Sequence, residues 1–151
     1  GGLLYHDNIT PNQLFTSLNH YLYHTNEATN LVCLLVIHIN KDSTVTIYNA
    51  GMPNPVLLGG TAREIEGGMG LLGLFETVDV VGTKVQLSAN DSLHFYSDGL
   101  FEGKWCQEQL NHMQAINTLQ RHSYLWQSAP QNPADDCSVL SILCDEQERI
   151  I

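Results

Sequence analysis

Residues 31–39 read Leu-Val-Cys-Leu-Leu-Val-Ile-His-Ile, a run rich in β-branched side chains and apolar on both faces when extended. A strand with two apolar faces must be covered on both, so the run predicts a central strand with packing on either side. The segments after it continue the pattern. Asn40-Lys41-Asp42-Ser43 reads as a turn, and Val45 and Ile47 alternate with polar neighbours as a half-buried strand does. The two runs together predict a β-hairpin.

Before the hairpin, Thr10-Pro11-Asn12-Gln13 has the form of a capped helix start, with Pro11 at the first helical position and Gln13 closing a capping box. Leu14, Phe15, Leu18, Tyr21 and Leu22 then form one stripe, predicting an amphipathic helix over about 11–24. Beyond the hairpin come a rigid loop at 49–55, a short strand at 56–58 and a partner strand at 62–66. A glycine-dense loop at 67–74 and a strand at 83–87 follow. Asn90 suits a left-handed turn and leads into a strand at 92–97. Residues 106–125 read as helix, 129–133 as loop, 138–144 as a last strand, and 145 onwards as a frayed tail. Antiparallel strands with helices set apart in sequence indicate a single α+β layered domain.

Composition narrows the function. The chain has 151 residues, 16 acidic and 6 basic, with a formal net charge of -10. A nucleic-acid partner is excluded for want of a Lys/Arg footprint, and an anionic membrane surface is disfavoured for the same reason. No stretch approaches a membrane span, and mean hydropathy is -0.11. Cys33, Cys106, Cys137 and Cys144 are widely spaced without a Cys-x-x-Cys pair. Three of them sit in apolar, strand-like runs and are expected to be small buried side chains, in a reducing cytoplasm.

The chemistry concentrates in acidic residues at strand ends. Asp98 closes the strand at 92–97, and Asp135 and Asp136 open the last one. If those strands are antiparallel neighbours, their carboxylates converge at one rim of the sheet. Converging carboxylates repel unless a cation lies between them, and all-oxygen ligation suits Mg²⁺ or Mn²⁺. Taken alone, Asp-Gly and Asp-Asp pairs are more often ordinary turn residues.

The order of short motifs adds to this. Asn49-Ala50-Gly51-Met52-Pro53-Asn54-Pro55, Leu71-Leu72-Gly73-Leu74, Asn90-Asp91, Tyr96-Ser97-Asp98-Gly99 and Asp135-Asp136-Cys137-Ser138 follow one another across nearly the whole chain. In that order they resemble the sporulation-protein-E branch of the PPM (type 2C) protein phosphatases. The resemblance implies an α-β-β-α sandwich of two antiparallel sheets flanked by helices, of which residues 1–151 form the C-terminal portion. It implies a dinuclear Mg²⁺ or Mn²⁺ centre with Asp98, Asp135 and Asp136 among its ligands. The metals would polarise phosphoryl oxygens and acidify water for attack on phosphorus. The implied substrate is phosphoserine or phosphothreonine on a bacterial regulatory protein, such as an anti-sigma-factor antagonist. The implied setting is the effector domain of a signalling protein or response regulator.

Three departures bear on activity. The family's upstream metal motifs find no match in residues 1–30, whose only acidic residues are Asp7 and Glu27. The remaining ligands are therefore expected upstream, and the chain by itself is expected to be inactive. Met52 stands where the family has histidine, and a thioether is a poor Mg²⁺ ligand. Missing strands would leave open sheet edges, which a homodimer or another partner would cover. An inactive PPM-like adaptor is thus the alternative to an enzyme. Among other features, His20 and His24 lie at i, i+4 without a third ligand, and His94 reads as a packed core histidine rather than a support for a carboxylate. The glycines at 67–73 lack a phosphate-binding Gly-Lys-Ser/Thr. Trp105 and Trp126 read as core, with the 104–128 segment the place to look for a regulatory surface.

Overall fold

The computed structural model describes residues 9–25, 31–101, 103–131 and 136–151. In chain order its elements are α1 (Pro11–His24), β1 (Leu34–Ile39), β2 (Thr44–Ala50), β3 (Val56–Leu58), β4 (Ala62–Glu64), β5 (Thr83–Gln86), β6 (Ser92–Tyr96), α2 (Gln107–Ala115), α3 (Thr118–Gln127) and β7 (Val139–Leu143). The strands form two antiparallel sheets, ordered β1-β2-β5 and β4-β3-β6-β7. The chain divides into two compact units. One contains α1, most of β1 and β2, and residues 67–84; the other contains β3, β4, β6, α2, α3 and β7.

In the first unit, α1 starts as its sequence predicts. The Thr10 side chain accepts from the Gln13 amide at 3.1 Å, and the Gln13 side chain accepts from the Thr10 amide at 2.9 Å. Its apolar stripe buries Phe15 and Leu22 against Ala50 and Leu72. Within that stripe Asn19 is buried, and its amide holds the glycine-dense loop. Asn19 Oδ1 accepts from the Gly73 amide at 2.8 Å, while Nδ2 donates to the Phe75 and Glu76 carbonyls at 3.0 and 3.3 Å. The same loop runs along residues 49–51: the Met69 amide donates to the Asn49 carbonyl at 2.6 Å and the Gly51 amide to the Met69 carbonyl at 3.0 Å. Glycine is needed at 68, where a Cβ would meet the Asn49 carbonyl oxygen at 3.0 Å.

Two expectations for this unit change. The apolar run at 31–39 was expected to be a central strand, yet β1 is an edge strand of its sheet. It is only half-buried, and Ile39 is 48% exposed. Pattern registers how much apolar surface a strand carries, not which segment supplies its second neighbour. Cys33 was expected to be buried and is exposed.

In the second unit β6 is central, between β3 and β7, and all five of its residues are buried. Val56 lies opposite His94 on one side, and Tyr96 opposite Val139 on the other. Val56, Leu58 and Tyr96 pack with Leu110 and Met113 of α2 and Leu125 of α3. A fully buried side chain of this kind contributes about 1.5–3 kcal/mol. The turn before β6 has Asn90 at φ 64, the left-handed conformation expected there. Beside it, the Asp91 carboxylate accepts from the Ser88 amide at 2.9 Å and the Gly60 amide at 3.2 Å. It therefore joins this turn to the β3–β4 turn.

Three further differences concern this unit. The helix expected over 106–125 is broken into α2 and α3, because Ile116 takes an extended conformation and the Asn117 side chain caps a new helix through the Leu119 amide at 2.9 Å. The tail from 145 folds back rather than fraying: the Ile151 amide donates to the Leu143 carbonyl at 2.7 Å, and Asp145 accepts from the Gln147 and Arg149 amides. Of the cysteines here, Cys144 is buried, Cys137 is half-buried and Cys106 is exposed.

Candidate functional site

Asp98 lies two residues beyond the end of β6, in a tight turn in which the Leu100 amide donates to the Ser97 carbonyl at 3.1 Å. Leu100 is buried and anchors the far side of that turn in the core formed by the sheet and helices. Beyond it, Phe101 stacks on Trp105 with ring centroids 3.8 Å apart, and Trp105 Nε1 donates to Tyr96 Oη at 2.9 Å. Burial, opposed by that hydrogen bond and aided by Glu64, pushes the Tyr96 phenol up to about 12. The turn carrying Asp98 thus springs from a rigid strand and returns to packed aromatic residues. Asp98 itself is exposed.

The start of β7 comes to the same rim. Because β6 and β7 are antiparallel neighbours, the chain leaving Tyr96 meets the chain arriving at Val139, as the strand-end reading requires. The Ser97 amide donates to the Ser138 carbonyl at 3.0 Å, and the Ser138 amide donates to Ser97 Oγ at 2.9 Å. Ser97 Oγ in turn donates to the Asp136 carbonyl at 3.0 Å. Cys137 Sγ lies 3.2 Å from the Gly99 carbonyl, a further tie between the segments. Asp98 and Asp136 therefore sit on two backbone segments joined at several points, both side chains exposed to solvent. Asp135 lies outside the described residues.

Two acidic segments at one rim supply hard oxygen donors of the kind Mg²⁺ and Mn²⁺ take. Asp98 and Asp136 are two such donors; among the described residues, no three His, Cys, Asp or Glu side chains come together. Met52, where a histidine would be expected, is half-buried at the start of the segment leading to β3.

From the middle of β6 to the end away from the rim runs a buried polar chain that sequence reasoning did not assemble. His94 is fully buried, as expected for a core histidine, with Nδ1 2.6 Å from Ser141 Oγ and Nε2 2.8 Å from Ser92 Oγ. Burial, reinforced by electrostatic interaction with Arg121 and His122, pushes its pKa down to about 3, so the ring is neutral. Arg121 is 5% exposed and donates to the Met113, Gln114, Leu58 and Asn90 carbonyls and to Ser92 Oγ. Burial lowers the Arg121 pKa from its ordinary value, and Asp91 opposes the shift. A basic residue on a helix face gives no sequence sign of such a role. Trp105 is core, as expected, but Trp126 is 44% exposed and Leu119 on the same helix is 73% exposed. Among the described residues, no helix is long and apolar enough to cross a membrane.

The family model described as Stage II sporulation protein E (SpoIIE) matches residues 2–144. No curated protein sequence matches the chain. Among solved structures, the RsbU and RsbW domains of a Mycobacterium tuberculosis protein are 19% identical, with a TM-score of 0.66 over 92% of this chain and 43% of that one. The SpoIIE phosphatase domain of Bacillus subtilis, presoaked with Mn, is 18% identical, with a TM-score of 0.61 over 95% of this chain and 70% of that one. RsbX in complex with magnesium is 14% identical, with a TM-score of 0.66 over 93% of this chain and 68% of its own. The likeness shows the fold, α+β with two antiparallel sheets and helices, as the sequence predicts. The chain spans less than half the length of the M. tuberculosis chain.

Proposed function

Because the chain belongs to the SpoIIE family of PP2C-type phosphatase domains, we propose that it forms part of a protein serine/threonine phosphatase acting on a phosphorylated regulatory protein. The observation that carries this reading is the family match over residues 2–144, together with the meeting of the Asp98 and Asp136 segments at one sheet rim. The Mn presoak of one structural relative and the magnesium of another support Mn²⁺ or Mg²⁺ as the cofactor. Asp98 and Asp136, with Asp135 next to Asp136 in sequence, would contribute carboxylate oxygens to it. When bound, such cations neutralise charge on the phosphoryl oxygens and acidify water. The chain's own part is to hold the Asp98 and Asp136 carboxylates at one sheet rim, open to solvent and to a protein substrate.

An anti-sigma-factor antagonist is the substrate class we favour, with the domain serving as effector of a signalling protein or response regulator. The pairing of RsbU and RsbW domains in one relative supports a partner-protein setting. The exposed thiols Cys33 and Cys106 suit the reducing cytoplasm. Met52 favours a second reading, an inactive adaptor that keeps the fold and binds the partner. Mn²⁺-dependent hydrolysis of p-nitrophenyl phosphate by the full-length protein separates the two. The enzyme reading expects turnover that Asp98→Asn reduces at least about a hundredfold. Turnover unchanged by that substitution would remove Asp98 from the site, and none in the wild type would leave the adaptor.

A further inference from the structure

Ser97 sits where two backbone demands conflict. Its position opposite Ser138, one step beyond the Tyr96–Val139 pair, calls for a reciprocal pair of ladder hydrogen bonds. The Ser97 amide makes its half, donating to the Ser138 carbonyl at 3.0 Å. The Ser97 carbonyl makes a different bond, because it closes the turn that carries Asp98 by accepting from the Leu100 amide at 3.1 Å. The hydroxyl takes the carbonyl's place: Ser97 Oγ accepts from the Ser138 amide at 2.9 Å and donates its proton to the Asp136 carbonyl at 3.0 Å. One side chain thereby lets β6 turn away at Asp98 while the ladder to the Asp136 segment continues.

We propose that Ser97 is a positioning residue for the metal site, its hydroxyl fixing the Asp136 segment against the Asp98 turn. This rests on the reading that Asp98 and Asp136 belong to a cation site. The hydroxyl is close to both acidic residues along the chain, yet it has an acceptor and a donor within the protein and need not touch the cation. Removing it leaves the Ser138 amide and the Asp136 carbonyl to find water, and loosens one carboxylate-bearing segment relative to the other. Groups that orient ligands in this way typically influence metal affinity ten- to a hundredfold. Threonine keeps the hydroxyl; valine has threonine's shape without it.

The test compares Ser97→Thr, Ser97→Val and Ser97→Ala with wild type in the full-length protein. Mn²⁺ affinity is read by calorimetry or by the electron paramagnetic resonance of free Mn²⁺, and amide hydrogen exchange is read in metal-free protein. Ser97→Val and Ser97→Ala should weaken Mn²⁺ binding about tenfold and speed exchange of the Ser138 amide, leaving β3 and β4 unaffected. Ser97→Thr should stay within about twofold of wild type, by the same measure of outer-ligand effects. If Ser97→Ala fails to fold, the Thr and Val pair decides, since the two differ only in the hydroxyl. Wild-type affinity in the Val variant, or equal loss in Thr and Val, overturns the proposal while Asp98→Asn still tests the site itself. A wild type that binds no Mn²⁺ overturns the cation-site reading, and the proposal with it.

Discussion

His94 shows how one buried side chain makes stability depend on pH. In the folded protein it titrates near 3, and in the unfolded chain near its ordinary 6.5. Between those values the unfolded chain holds the extra proton, so acid favours unfolding. The contribution is fully present above pH 6.5 and is lost as pH falls from there toward 3. Taking the protein from pH 7 to pH 5 should therefore cost about 2 kcal/mol through this residue. Urea titrations at the two pH values would measure it, and His94→Gln should flatten the difference. That the Asp98 and Asp136 segments meet was legible in the sequence, because acidic residues near strand ends are conspicuous. Ser97 and Arg121 were not: the first acts by replacing a carbonyl in a ladder, the second by binding carbonyls far away in sequence. Such partners exist only once the chain is folded.

Among the elements, those specified by local chemistry were the most legible. The Thr10–Gln13 box fixes the start of α1, and the 40–43 turn and the alternation after it give the β1–β2 pair. The break between α2 and α3 was missed because its apolar stripe continues, imperfectly, across Ile116 and Asn117. Once formed, the break depends on the Asn117 side chain and its bond to the Leu119 amide. Asn117→Ala should lower stability by about 1 kcal/mol in denaturant unfolding, whereas Asn117→Asp should preserve it. The position of β1 at a sheet edge was hidden for a different reason. Its apolar faces state a requirement for cover, and cover is supplied by segments whose identity a single strand cannot encode. The tail was misread because Asp145 organises it through backbone amides, a short-range motif that resembles solvated polar sequence.

For the molecule as a whole, the acidic excess matters more than any single ion pair. A net charge of -10 on 151 residues, with Lys104–Glu66 and Arg149–Asp145 the salt bridges among the described residues, leaves most carboxylates repelling one another. Added salt screens that repulsion over about 10 Å at 0.1 M. The metal-free protein should accordingly melt at higher temperature in 200 mM than in 20 mM NaCl, as scanning calorimetry would record. The α+β class and the order of the strands were legible across the chain because each motif marks a turn or strand end. The pairing of β3 with β6 was not, since the two lie far apart in sequence and meet only through the sheet.

Arg121 gives that second unit its mechanical character. Its guanidinium binds the end of β3, the last turn of α2, the Asn90 turn and Ser92 of β6 at once. Opening any one of them takes a hydrogen-bond partner from a buried cation, so fraying one at a time is suppressed. The segments must unfold as one cooperative block, and the amides they protect should exchange with solvent at a single shared rate.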